Sequence, residues 1–87
     1  MSAMPLPSQP VTLSIQQLTD LNTKLSAMRH DINNHLSLII AAVELIRRKP
    51  DAAERMLSAL SEQPTKIGAA LVKFSTEFER TCGITRP

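Results

Sequence analysis

Two histidines, an aspartate and two asparagines lie within one short segment, whose sequence is Arg29-His30-Asp31-Ile32-Asn33-Asn34-His35-Leu36. An imidazole is nucleophilic and titrates near neutral pH. A carboxylate at the next position can hold one ring N–H and leave the other ring nitrogen free to attack an electrophile. The pair His30 and Asp31, with the amide of Asn34 one helical turn later, therefore predicts a nucleophilic histidine.

The helix that carries these residues decides where they point. At about 100° per residue, His30 lies roughly 150° from the apolar stripe centred near Ile32 and Val43, and Asn34 also points away from that stripe. On the same outward face, three apolar residues follow Asn34 at spacings of four, three and four: Leu38, Ala41 and Leu45. Exposed apolar residues beside an exposed histidine predict a docking surface for a partner.

Proline and glycine divide the chain into two long helical segments. No glycine or proline occurs between Val11 and Lys49, so one helix of about 50 Å fits there. Pro50 then interrupts the helix, Asp51 with Glu54 predicts a capping box for a second helix, and Gly83 predicts its end. We predict a flexible lead-in over 1–10, a helical hairpin over 11–81 (helices at 11–49 and 51–81) and a tail over 82–87.

Apolar residues in both segments alternate steps of three and four, which is the pattern of a heptad seam. The seam of the first helix is Leu18, Leu21, Leu25, Met28, Ile32, His35, Ile39, Ala42 and Ile46; that of the second is Leu57, Leu60, Pro64, Ile67, Leu71, Phe74 and Phe78. Leu36, Ile40 and Val43 widen the first stripe beyond what one hairpin covers. We therefore predict an all-α antiparallel two-helix hairpin that dimerises into a four-helix bundle, with Pro64 bending or splitting the second helix.

Composition excludes several classes of protein. Ten basic against eight acidic residues in 87 is too mild a balance for a nucleic-acid binder. No apolar run approaches the roughly 20 residues of a membrane span, and one cysteine, Cys82, excludes an internal disulfide. His30 and His35 diverge by about 140° on a helix, so they do not share a metal ion. We expect a cytoplasmic protein with no metal or cofactor of its own.

The segment His30-Asp31-Ile32-Asn33-Asn34-His35-Leu36 resembles the H-box of the dimerisation and histidine-phosphotransfer domain of sensor histidine kinases. Further likeness extends over Ile39–Ile46 and Gly68–Ser75, so that the resemblance covers most of the chain. It implies that His30 accepts and donates a phosphoryl group, that Asp31 orients and activates the imidazole, and that Asn34 positions water for dephosphorylation of the partner.

The resemblance also implies partners. These are a second copy of the chain, a response-regulator receiver domain that supplies the acceptor aspartate and its Mg²⁺, and the ATP-binding domain of a histidine kinase. Arg29, Leu38, Ala41 and Leu45 are the predicted docking residues for the receiver.

The sequence departs from the family pattern at two places. His35 occupies a position where many members have a helix-bending proline, which puts switching by a kink there in doubt. Nothing after Arg80 matches the Asn-rich or Gly-rich nucleotide boxes, so we expect no autophosphorylation by this chain alone. It is then either a fragment of a longer kinase or a stand-alone phosphotransfer protein. The alternative is a non-catalytic dimerisation or adaptor module that binds a receiver or kinase without phosphotransfer.

Overall fold

Two helices joined by a short turn make up the fold. The structure is a computed structural model that describes residues 6–84. It contains α1 (Ile15–Arg48), a 3-10 turn (Pro50–Ala52) and α2 (Ala53–Cys82). The prediction of an all-α helical hairpin is confirmed, and within the described residues no helix has the length and apolar character needed to cross a membrane. Parts of the predicted lead-in and tail, 1–5 and 85–87, lie outside the described residues.

A capping box starts α1, and it was not among the sequence predictions. The Ser14 hydroxyl accepts from the backbone N–H of Gln17 at 3.0 Å, while the Gln17 side chain accepts from the Ser14 backbone N–H at 2.8 Å. This reciprocal pair satisfies donors that the first turn of a helix leaves unpaired. The helix therefore begins at Ile15, four residues after the predicted start at 11.

The turn between the helices forms around Pro50, as predicted. Lys49 leaves the helical region (φ −133°, ψ 83°), because a following proline disfavours helical backbone. The predicted capping box at Asp51 is wrong, since Ala52 precedes α2 and no side chain caps that helix. Pro50–Ala52 instead forms a 3-10 turn, closed by a bond from the Ala52 N–H to the Lys49 carbonyl at 2.9 Å.

Gly83 ends α2, as predicted. Its φ of 70° lies in the left-handed region that glycine adopts without strain. The Gly83 N–H reaches the Arg80 carbonyl at 3.4 Å and the Ile84 N–H reaches the Glu79 carbonyl at 2.8 Å, which together form a Schellman motif. Pro64 lies inside α2, but the helix continues through it from Ala53 to Cys82 and is not split.

The predicted seam of α2 is only half right in the single chain. Leu60, Ile67 and Phe74 are half-buried, whereas four predicted members spaced seven residues apart are exposed: Leu57, Pro64, Leu71 and Phe78. Their places against α1 are taken by residues one position earlier: Met56, Gln63, Ala70 and Glu77. The physical reason is that α1 covers only one edge of the apolar stripe on α2.

In α1 the seam is nearer to the prediction, although Leu18 is 60% exposed and does not belong to it. Leu21 and Ala42 are buried, and the intervening seam residues are half-buried. No large side chain in the described residues is fully buried. The hairpin measures 58 × 29 × 12 Å, so its thinnest dimension is that of one helix layer.

The widened part of the α1 stripe remains uncovered, as predicted for a single hairpin. Leu36, Ile40 and Val43 are exposed on α1. With the exposed residues of α2 they form what we call the uncovered face: Leu36, Ile40, Val43, Leu57, Leu71 and Phe78. Six exposed large apolar side chains on a hairpin of this size are more than scattered surface residues require.

An ion pair joins the two helices in the half of the hairpin that is far from the turn. The Lys24 ammonium lies 2.7 Å from a Glu77 carboxylate oxygen, and the Glu77 side chain is 23% exposed. The hydrogen bond from Lys24 lowers the pKa of Glu77, with smaller contributions from Arg80 and Lys73. A lowered carboxyl pKa stabilises the fold above the unfolded-state pKa, and this stabilisation is lost as the pH falls through the folded-state pKa.

We therefore predict that Lys24→Gln lowers the free energy of unfolding at pH 7, and that the deficit disappears at an acidic pH below the folded-state pKa of Glu77, where this carboxyl is protonated in both states. Urea unfolding at the two pH values measures this. Lys66→Gln is the control, because its ion pair with Glu62 (3.8 Å) is exposed and within one helix. A deficit of unchanged size at low pH would show that Lys24 contributes packing rather than charge.

Candidate functional site

His30 lies in the middle of α1, on the side that α2 does not cover. Its side chain is 84% exposed, which confirms the predicted outward direction. Within the described residues the imidazole has no hydrogen-bond partner. The helix continues for more than four turns on either side of His30 and so holds the ring at a fixed position along the helix axis.

Asp31 is the closest charged group to the His30 ring. Its carboxylate oxygen lies 3.7 Å from Nδ1, and its side chain is 59% exposed. This distance exceeds that of a hydrogen bond but allows an electrostatic attraction to a positively charged ring. The geometry directs Nδ1 toward the carboxylate and leaves Nε2 as the nitrogen free for reaction.

Asp31 also faces α2. Together with Lys24, Lys73 and Glu77 it lines a cavity of about 110 Å³ whose apolar wall includes Phe74. Since Lys24 is paired with Glu77, Lys73 is the further cation near the Asp31 carboxylate in this cavity. Asp31 therefore lies at the edge of the interhelical seam, beside charged side chains of the second helix, whereas His30 points away from α2.

Asn34 is exposed one turn after His30, as predicted. At about 100° per residue the two side chains differ in direction by only about 40°, and their backbones are about 6 Å apart along the axis. The amide is thus on the same strip of α1 as the imidazole. A group bound to His30 has Asn34 beside it on the side toward the turn.

The predicted docking residues Leu38, Ala41 and Leu45 border a groove between the helices. They were predicted to project opposite the apolar stripe, and this is wrong, because α2 forms the other half of the groove. Its full lining is Leu38, Ala41, Ala42, Leu45, Met56, Ala59, Leu60 and Gln63, and its volume is about 380 Å³. Three of these residues are alanines, whose short side chains leave the depression open.

Arg29, the fourth predicted docking residue, does not line this groove. It is exposed, but nine residues separate it from Leu38, which corresponds to about 180° around the helix. The structure therefore brings His30, Asn34 and the groove onto one side of α1 and leaves Arg29 on another.

His35 has a packing role, in agreement with its predicted position in the seam. It is half-buried, and its Nδ1 lies 2.8 Å from the Gln63 side-chain oxygen. In residues 6–84, no group of three or more histidine, cysteine or acidic side chains has a geometry suited to a metal ion. Cys82 is a free, half-buried thiol.

The contributions of α2 to this region were not predicted from the sequence. Met56, Ala59 and Gln63 were not singled out, because the a/d pattern assigned Leu57 and Pro64 to the seam in their place. Lys24 and Glu77 carried a usable signal, since opposite charges equally far from a turn face each other in an antiparallel hairpin.

Comparison with family models, with curated proteins and with solved structures finds no match to this chain. The resemblance to the H-box thus stays a prediction, and the functional argument depends on the geometry of the site.

Proposed function

We propose that this chain is a histidine phosphotransfer module that carries a phosphoryl group on His30 to or from the aspartate of a receiver domain. The observation that carries the proposal is a solvent-exposed imidazole on a continuous helix, with a carboxylate 3.7 Å from Nδ1 and an amide one turn away. Phosphoryl transfer through a loose transition state needs positioning more than covalent assistance from the protein. An exposed, rigidly held ring meets that need.

The proposed step is balanced without a further reactant. Nε2 of neutral His30 attacks the phosphorus of the receiver's aspartyl phosphate, and an N–P bond forms as the acyl O–P bond breaks. The electron pair of the broken bond returns to the receiver carboxylate, where Mg²⁺ bound by the receiver offsets its charge. The ring keeps its proton on Nδ1, and the adjacent Asp31 carboxylate stabilises the resulting positive charge.

The groove supports docking of a partner beside His30. Leu38 lies eight residues after His30, so the groove begins about 12 Å along the helix from the imidazole. An apolar groove between helices with a floor of alanines suits one amphipathic helix of a partner. In this proposal Leu38, Ala41 and Leu45 bind the receiver, and the ATP-binding domain of a kinase is a second partner that phosphorylates His30.

The uncovered face supports dimerisation. Leu36, Ile40 and Val43 lie roughly 150° around α1 from Leu38, so a second hairpin packed on them leaves the groove accessible. Two such hairpins form a four-helix bundle, in which the exposed row on α2 becomes part of the core. A single hairpin of this length buries little apolar surface, and such a dimer would bury more of it.

An adaptor function is the second candidate, and the groove favours it equally. A partner can dock against Leu38, Ala41 and Leu45 without any chemistry at His30. The two candidates differ in what happens when His30 is replaced, since only phosphotransfer requires the imidazole.

We predict that the wild-type protein takes up one phosphoryl group per chain from phosphoramidate, and that His30→Gln takes up none, because glutamine has no nucleophilic ring nitrogen. Native mass spectrometry detects the adduct, and its loss in acid identifies a phosphohistidine. His35→Gln is the matched control and is expected to keep the adduct, since His35 is half-buried.

An adduct that persists in His30→Gln would contradict the assignment of the phosphorylated residue. A wild-type protein that binds a receiver but never takes up phosphate would favour the adaptor.

We predict that Ala41→Arg slows transfer from phosphorylated His30 to a receiver domain by about tenfold or more, because a long charged side chain fills the groove. Uptake from phosphoramidate is expected to be unchanged, since that small donor needs no groove. The appearance of phosphorylated receiver measures the transfer. Ala41→Ser is the conservative control, and equal transfer by Ala41→Arg and Ala41→Ser would show that the receiver does not dock in the groove.

We predict a molar mass of twice the 9.6 kDa chain in light scattering coupled to size exclusion, and a shift toward monomer for Val43→Glu. The physical reason is that a charge buried in the bundle core lacks a partner. Leu38→Glu is the matched control, because the two side chains are similarly exposed (48% for Leu38 and 41% for Val43) but on different sides of α1. A dimer lost in Leu38→Glu and kept in Val43→Glu would place the interface on the groove side.

A further inference from the structure

Contacts between polar side chains join the helices, among them the Lys24–Glu77 ion pair near the ends far from the turn and a more deeply buried hydrogen bond within the apolar part of the seam. Nδ1 of His35 lies 2.8 Å from the Gln63 side-chain oxygen, and Gln63 is only 6% exposed. The Gln63 amide nitrogen donates to the carbonyl of Ala59 at 3.3 Å, which orients the oxygen toward α1. With Nδ1 protonated, His35 donates this bond in both the neutral and the charged form of the ring.

Pro64 weakens α2 in the same turn. Proline has no backbone N–H, so the carbonyl of Leu60 lacks its usual helical partner. The helix nevertheless continues from Ala53 to Cys82. The contact between His35 and Gln63 therefore joins α1 to the one turn of α2 that has lost a helical hydrogen bond.

The apolar contacts along the seam do not define one axial position by themselves. Steps of three and four repeat along both helices, so a shift of α2 by one turn, accompanied by a rearrangement of the Pro50–Ala52 turn, brings other apolar residues together. Such a shift separates Gln63 from His35 and leaves a buried amide without its partner, which is unfavourable. A single polar pair in an apolar seam fixes register in this way in coiled coils.

We infer that the hydrogen bond between His35 and Gln63 sets the axial register of α2 against α1, and with it the alignment of the two halves of the groove. Gln63 itself lines that groove, next to Met56 and Ala59 from α2 and opposite Leu38 from α1. A shift by one turn displaces the α2 half by about 5.4 Å relative to Leu38 and His30. The register is a property of the fold, whereas its importance for partner docking rests on the proposed function.

The test replaces both partners by leucine. His35→Leu with Gln63→Leu removes the polar pair without leaving an unsatisfied group. We therefore expect the hairpin to stay folded but to lose the contact that sets its axial register. Spin labels at Ser37→Cys and Thr76→Cys, two exposed positions in a Cys82→Ser background, report the register by double electron–electron resonance. Dilution with unlabelled chain isolates the distance within one hairpin.

The wild-type pair is expected to give one narrow distance, and the double leucine variant a broad or split distribution with components displaced along the axis by about 5 Å or more. One unchanged narrow distance in the double leucine variant would overturn the inference. The exchanged pair, His35→Gln with Gln63→His, can re-form the bond and is expected to restore the narrow distance. If the double leucine variant does not fold, the exchanged pair and His35→Leu alone decide. A narrow distance distribution in the exchanged pair supports the inference, and a broad one overturns it. For His35→Leu alone we expect a broad distance distribution.

A matched control removes an exposed contact instead. Glu62→Gln with Lys66→Gln breaks a surface ion pair within α2, one residue before and three after Gln63, and is expected to leave the distance unchanged.

The functional measurement uses the same variants. Phosphoramidate labelling of His30 should be equal in the wild type and in His35→Leu, because His35 does not line the groove, while transfer to a receiver should fall in His35→Leu and recover in the exchanged pair. Absence of labelling in every protein would reject the proposed phosphotransfer but not the register, which the distances test separately.

Discussion

A pair of antiparallel helices can cover each other along one seam only. Each helix here carries an apolar stripe wider than that seam, so that one edge of the stripe is buried and the other is exposed. The buried edge is thin: Leu21, Ala42 and Ala52 are the buried apolar residues of the described chain. The remaining features of the hairpin follow from this limit, including the uncovered face on one side and the groove on the other.

The same limit explains which polar side chains of the candidate site are exposed and which lie against α2. His30 is far around α1 from the seam, so the helix holds it firmly while the ring remains 84% exposed. Asp31 is one position nearer to α2 and lies at the seam edge, in the cavity that Lys73 and Glu77 border. One helical step thus separates a residue exposed to solvent from a residue held in the charge environment of the hairpin. Under the proposed function, a nucleophile presented to a receiver benefits from both.

The sequence predicted the helices, the turn at Pro50, the end at Gly83 and the outward direction of His30, because each depends on local rules of backbone conformation and helical period. It did not predict which edge of the α2 stripe faces α1. The a/d pattern assigned Leu57, Leu71 and Phe78 to the seam, but the period alone describes a stripe and not the neighbour that covers each edge. The groove was missed for the same reason, since Met56 and Ala59 join Leu38 only once the rotation of α2 is known. The capping box at Ser14 was readable from sequence, because Gln17 follows at the expected spacing.

Many members of the family whose H-box this chain resembles have a helix-bending proline at the position of His35, and its absence puts switching by a kink there in doubt. In the structure, a proline occurs at the same level of the hairpin but in the other helix: Pro64 directly follows Gln63, which contacts His35. The helical hydrogen bond lost to proline is therefore in α2, and α1 continues through His35. This arrangement keeps the helix that carries His30 continuous on both sides of the ring, and assigns any bending to the helix that forms the far half of the groove. A movement of α2 about Pro64 would change the shape of the groove without displacing the imidazole, and under the proposed function this would separate control of partner binding from control of phosphoryl transfer.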